Sequence, residues 1–351
     1  MRDRSRRISR REFLRHGARA AGAWAGLAVI GCQAQAQVPR TAASPTSASP
    51  AGPSPAAVGA SPSPQTALKT RSLAAPLEDR AFASLMDQVN FGPRVPGQPG
   101  HADCRRYLAA ELAKTTHQVA TQDFSLSIAG ADLELTNILA RHNPEASDRV
   151  LLCAHWDTRP FADQDPNPAN RNTPILGAND GASGVAALLE ISRVLHERKV
   201  ERGVDIVLFD GEDWGRTVDT MFLGSRHFAT SALAEPASRP FGILLDMVGD
   251  ADLHIYREGF SDRAADPVAD RIWNAVIALE YQAYFSDEVA YTLFDDHVPL
   301  NEAGIMTADV IDFRYPYWHT VEDTPDKCSG ASLRIVSEVV LRVLDEYWTT
   351  G

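Results

Sequence analysis

Two rhythms of apolar and polar positions alternate along residues 72–351. Short apolar runs near Val119 to Leu126, Leu133 to Arg141, Val150 to Ala154, Asp205 to Phe209, Gly242 to Leu245 and Thr307 to Ile311 have strand length. Between and around them, Leu77 to Val89, His101 to Thr115, Ala182 to Lys199, Gly224 to Ala234, Ala265 to Leu279 and Ser332 to Tyr347 read as helices. Strands alternating with helices imply an α/β sheet covered on both faces. No internal repeat and no second linker interrupt this stretch, so about 280 residues form one large domain.

The rhythm stops before residue 72, and the first 71 residues have other uses. Ser9-Arg10-Arg11-Glu12-Phe13-Leu14 fits a twin-arginine export signal, followed by a short Ala/Gly-rich apolar stretch from Ala18 to Ile30. That stretch is too short for a membrane span, which needs about 20 apolar residues. Residues 1–36 therefore address the protein outward. Two cleavage outcomes compete: Val29-Ile30-Gly31-Cys32 resembles a lipobox that would leave Cys32 lipid-modified, and Ala34-Gln35-Ala36 is an ordinary small-x-small site. We favour the lipoprotein, tethered at the periplasmic or outer surface. Residues 37–71 are mostly Pro, Ala, Ser, Thr, Gly and Val, a composition that cannot offset its chain entropy by burial, and they read as a disordered tether.

Charge narrows the partners. The whole chain is formally −12; residues 37–351 carry 26 Lys and Arg against 44 Asp and Glu, a formal −18. A nucleic-acid partner needs a basic surface, so this excess excludes one. Outside the signal, Cys104, Cys153 and Cys328 are odd in number, so at least one thiol is unpaired within a single chain. No pairing follows from spacing, and Cys153, inside an apolar strand run, reads as a core residue.

The chemistry sits where the apolar runs end. His155 and Asp157 follow the third strand, Asp210-Gly211-Glu212-Asp213 the fourth, and Asp246 the fifth. Open α/β sheets bind ligands at the carboxyl ends of their strands. Asp180 precedes Gly181-Ala182-Ser183-Gly184, small residues that let a helix start lie close to it, and His319 follows Trp318. One such residue is ordinarily a cap or turn former. Imidazoles and carboxylates gathered from several strand ends are a zinc donor set. Adjacent acids such as Glu212 and Asp213 also repel unless a cation lies near.

The order HxD, GANDGASG, GED, LDM and WHT resembles the zinc-dependent aminopeptidase superfamily over about residues 76 to 349, and within it the glutaminyl-peptide cyclotransferases. The resemblance implies a three-layer αβα sandwich with a mixed, mostly parallel central sheet. It implies one zinc held by Asp180, Asp213 and His319, with His155 and Asp246 completing a second site in two-zinc aminopeptidases. Glu212 matches the general acid/base and Asp157 the carboxylate that orients His155. Asp246 and Asp295 are implied to hydrogen-bond the substrate's amine and amide nitrogens, with Trp318 and Asp309 lining the pocket. The cyclase branch is favoured by Asp295-Asp296-His297-Val298-Pro299, by Trp318 before His319, and by the insertion from His155 to Gly177 with its Arg-Pro-Phe-Ala-Asp sequence. Two positions depart from it: Asp309 stands where animal cyclases have a His, and Trp214 does not align with their second pocket Trp. The expected reaction is conversion of N-terminal glutamine on a peptide or protein to pyroglutamate. The rival readings are a two-zinc aminopeptidase and a catalytically silent binding module on the same fold.

Overall fold

The computed structural model describes residues 74–350. The export signal, Cys32 and the 37–71 tether lie outside the described residues. Helices α1 (Ala74–Val89) and α2 (Pro99–Ala113) lead into a hairpin of β1 (Gln118–Ile128) and β2 (Ala131–His142), then β3 (Arg149–His155), α3 (Ala182–Glu197) and β4 (Gly203–Phe209). Next come α4 (Leu223–Thr230), β5 (Gly242–Asp246), β6 (Ile255–Glu258), α5 (Gly259–Ala264) and α6 (Asp266–Ala278). The chain closes with β7 (Phe285–Tyr291), α7 (His297–Glu302), β8 (Thr307–Ile311) and α8 (Gly330–Thr350).

Six strands form the main sheet in the order β1-β2-β4-β3-β5-β8. The β4-β3-β5-β8 pairings are parallel and those of β2 antiparallel, so β2 alone runs against the rest. The period of two along each strand sends side chains into two cores. Val150, Leu152 and Ala154 join one with Ile206, Leu208, Ile243 and Leu245, under α1, α2, α3 and α8. Leu151, Cys153, Val207, Phe209 and Leu244 join the other, with Phe228 of α4 and Leu300 of α7. Burial on both faces is why these strands read as continuous apolar runs. Helix α2 shows its seam plainly: His101, Cys104, Leu108 and Leu112 are its buried residues, three or four apart.

Helix α3 lies almost wholly inside, packed closely against β5. A Cβ on Gly184 would come within 2.2 Å of the Leu245 carbonyl oxygen, so only glycine lets the two backbones meet. This contact brings the Asp180 loop beside the end of β5. At the opposite end of the sheet, Asp205 near the start of β4 is saturated. Arg149 Nε donates to its Oδ1 at 2.9 Å and Arg239 Nε to its Oδ2 at 3.0 Å, and all three residues are buried.

The structure revises several expected boundaries. The helix expected over Gly224 to Ala234 breaks at Ser231, whose hydroxyl accepts from Leu233 N and starts a separate 3-10 turn, Ala232–Ala234. Helix α3 stops at Glu197 because Lys199 turns left-handed at φ 52°. The small parallel β6-β7 sheet and helices α5 and α7 were not expected. Their strands are short or half exposed, and α7 carries Pro299, so neither period is strong in the sequence. Cys104, Cys153 and Cys328 are buried and free. Among the described residues no helix is long and apolar enough to cross a membrane.

Candidate metal centre

The carboxyl ends of β3, β4 and β5 and two loops bring His155, Asp180, Asp213, Asp246 and His319 together. They form two buried triads that share Asp180. In the first, His155 Nε2 lies 3.2 Å from both Asp180 Oδ1 and Asp246 Oδ1. In the second, His319 Nε2 lies 3.3 Å from Asp213 Oδ1 and 3.6 Å from Asp180 Oδ2.

Buried polar groups hold the loops in place. Asp323 accepts the backbone N–H groups of Asn179 (2.8 Å) and Asp180 (3.1 Å) and the Tyr315 hydroxyl (2.8 Å). Arg94, fully buried, donates to the carbonyls of Trp156, Leu176 and Gly177, fixing both ends of the 155–177 insertion. Asp157 accepts the backbone N–H groups of Glu212 (3.1 Å) and Asp213 (3.2 Å), so it ties the end of β4 to the end of β3; its Oδ1 lies 3.6 Å from His155 Nδ1. Two non-glycine residues sit in the left-handed region here, Met247 after Asp246 (φ 46°) and His319 itself (φ 55°). Such backbone strain, of order 1–3 kcal/mol each, collects at functional sites.

The donors fit a dication. Asp180 Oδ2 and Asp213 Oδ2 are buried without any hydrogen-bond partner, a costly state for carboxylate oxygens unless a cation takes them. Burial and the adjacent Asp213 carboxylate push the Asp180 carboxyl up to about 7. Burial acts on Asp213 too, yet His319 and Arg159 outweigh it and hold that carboxyl well below the ordinary range. A bound dication would favour the ionised form at both.

The family model for peptidase family M28 matches residues 137–344, a segment that contains every one of these donors. The chain belongs to peptidase family M28. Among solved structures it is similar to Porphyromonas gingivalis glutaminyl cyclase, 39% identical with 77% of this chain and 98% of that one covered, TM-score 0.72. It is equally similar to a structure described as a leucine aminopeptidase precursor from Bacteroides thetaiotaomicron VPI-5482, 39% identical over 76% of this chain and 96% of that one, TM-score 0.73. A curated relative, the glutaminyl-peptide cyclotransferase-like protein of Bos taurus, is 25% identical over 72% of each chain. This M28 chain thus falls in the glutaminyl cyclase branch of the zinc aminopeptidase superfamily.

Beside the donors this M28 chain opens a cavity of about 120 Å³. Its lining combines apolar Phe222, Leu293, Phe294, Ile311, Phe313 and Trp318 with polar Asp180, Glu212, Asp246, Asp295 and His319. Trp318 stacks on the His319 ring, centroids 3.8 Å apart. Burial, then the Asp213 charge, raises the Glu212 carboxyl well above its ordinary value. Burial and Asp246 do the same for Asp295.

Asp309 requires a correction. The sequence reading put it in the pocket lining, but it does not line the cavity; it is buried behind, where its ligand oxygen lies within 4.8 Å of those of Asp295 and His297. The reason is the alternation along β8: Ala308 and Val310 face the large core, which turns Asp309 to the opposite side, toward α7. There His297 Nδ1 is 3.9 Å from Asp309 Oδ2, and His297 Nε2 is 3.1 Å from Glu258 Oε2. Trp214 packs with Phe124, Leu133, Leu135 and Leu223, away from the cavity.

Arg94, Asp323 and the pair Arg159 and Asp163 were given no role in the sequence reading. Each acts through a contact across the fold, and none carries a periodic signal. The placement of Asp163 four residues after Arg159, inside an insertion already singled out, is the one hint the sequence offers.

Proposed function

We propose that this chain is a glutaminyl-peptide cyclotransferase, converting N-terminal glutamine to pyroglutamate with release of ammonia. The observation that carries it is the cavity of about 120 Å³, lined by Phe222, Leu293, Phe294, Ile311, Phe313 and Trp318 together with Glu212, Asp246 and Asp295, beside the Asp180–Asp213–His319 donors. The glutamine side chain enters this cavity, and Asp246 and Asp295 accept hydrogen bonds from the α-amine and the amide nitrogen. The α-amine nitrogen then bonds to the side-chain amide carbon. Glu212 takes a proton from that nitrogen and gives it to the departing amide nitrogen as the C–N bond breaks, so ammonia leaves and the lactam remains. A carboxyl raised by burial suits such two-way proton traffic. Zinc held by Asp180, Asp213 and His319 supplies polarisation of the amide carbonyl when bound. The apolar lining residues limit water at the reacting carbon, which favours cyclisation over hydrolysis.

One observation favours a second reading. The His155–Asp180–Asp246 triad is complete, as a two-zinc aminopeptidase requires. Purified protein should be assayed side by side for ammonia release from a Gln-initiated peptide and amino-acid release from a Leu-initiated one, with bound zinc counted. Ammonia, a pyroglutamyl product and one zinc support the cyclase; free amino acid with two zincs supports the aminopeptidase and removes the cyclase.

The substrates we propose are peptides or proteins with free N-termini outside the cytoplasm, reached after twin-arginine export with the chain tethered at Cys32. Metabolic labelling with palmitate tests the tether: label retained by Cys32→Ser would overturn it.

A further inference from the structure

The Arg159 side chain lies buried beside the metal donors with all three of its nitrogens engaged. Nε and Nη2 fork onto the two oxygens of Asp163 at 2.8 and 3.2 Å, and Nη1 donates to Asp213 Oδ1 at 2.6 Å. Asp163 Oδ1 in turn lies 3.4 Å from His319 Nδ1, a ring nitrogen with no hydrogen-bond partner of normal length. The ring thus closes as Asp213, Arg159, Asp163, His319. Two donors of one triad are joined through a single planar guanidinium.

We infer that Arg159 and Asp163 are positioning residues for the metal: together they set which atoms of Asp213 and His319 face it and how tightly it is held. Arg159 occupies Asp213 Oδ1 and leaves Oδ2, buried and otherwise unpartnered, as the single oxygen for the ion. Asp163 takes the Nδ1 proton of His319, which fixes the tautomer and leaves Nε2 free; such carboxylate support strengthens an imidazole ligand. Arginine suits this place because its rigid fork spans two carboxylates, where lysine offers one point of charge. The surrounding loop does not depend on the pair for its course. Backbone bonds Ala162 N to Thr173 O (2.8 Å), Ile175 N to Arg159 O (3.1 Å) and Gln164 N to His319 O (3.1 Å) hold it independently.

The inference rests on the metal reading above but not on the cyclase reaction. Zinc affinity by chelator competition and the visible spectrum of the cobalt-substituted protein, both read without turnover, test it in Asp163→Ala and Arg159→Met, with circular dichroism confirming the fold. We expect Asp163→Ala to lose about 10- to 100-fold in zinc affinity. Arg159→Met should weaken the cobalt absorption bands, because the freed Asp213 oxygen joins the coordination shell. Asp163→Asn, isosteric and still able to accept from Nδ1, serves if the alanine variant does not fold, and should lose less affinity. Folded variants with unchanged affinity and an unchanged cobalt spectrum would overturn the inference. A protein that binds zinc in this manner yet forms no pyroglutamate would remove the cyclase proposal and leave this one standing.

Discussion

Strand β4 carries buried acids at both ends, and the two ends treat them oppositely. At its start, Asp205 meets two buried arginines and every oxygen is satisfied. Past its finish, Glu212 and Asp213 sit among Asp180, Asp246 and Asp295 with the Arg159 guanidinium and the His155 and His319 imidazoles between them, and one carboxylate oxygen each of Asp180 and Asp213 still has no hydrogen-bond partner. At one end arginines satisfy both oxygens of a single acid, and at the other five acids share one guanidinium and two imidazoles. Full pairing gives a fixed joint, whereas unpaired oxygens keep lone pairs available for a ligand. The end with unpaired oxygens is the candidate site, and the paired end is a clamp that joins β4 to Arg149 of β3 and to Arg239 ahead of β5.

Substitutions at the two ends should therefore separate catalysis from stability. The largest effect we expect is from Glu212→Gln, which removes the proton carrier: turnover falls about 10²- to 10⁴-fold while bound zinc, measured by atomic absorption, is unchanged. An active Glu212→Gln protein would break the functional side of the contrast. At the other end, Asp205→Ala leaves Arg149 buried without its counter-charge and Arg239 with only Glu235 at 4.0 Å, which should cost about 3–5 kcal/mol in denaturant unfolding and spare zinc affinity. A loss of zinc with intact stability would reverse the assignment of the two ends.

The smallest effect sharpens the comparison through pH. Burial and neighbouring Asp295 raise the Asp309 carboxyl well above its ordinary value. The folded state then holds a proton that the unfolded state releases above about pH 4, so this group makes the protein less stable as pH rises. Asp309→Asn removes that dependence. It should raise the thermal midpoint at pH 8, with the gap over the parent closing as pH falls toward 4; an equal gap at both pH values would show that Asp309 is ionised in the fold.

Much of this was legible from the chain because strands buried on both faces write themselves as apolar runs. All six strands of the main sheet fall within a few residues of their expected places, and the acids and histidine that follow three of them lie where open α/β sheets put their ligands. The β6-β7 pair escaped because half-exposed strands lack that contrast, and Asp309 was misplaced because a strand residue's face depends on register.

What the sequence determined by itself is a set of candidate donors: His155, Asp180, Glu212, Asp213 and Asp246 stand at or just beyond the ends of elements whose pattern is local, and His319 follows Trp318 in the turn after β8. Only the tertiary structure decided how those donors are held. Arg94 reaches the 176–177 carbonyls, Asp323 the amides of Asn179 and Asp180, and Arg159 the carboxylate of Asp213, each across more than fifty residues of chain. Hydrogen bonds of that span leave no period in the sequence, because their geometry exists only once the sheet has brought the loops together.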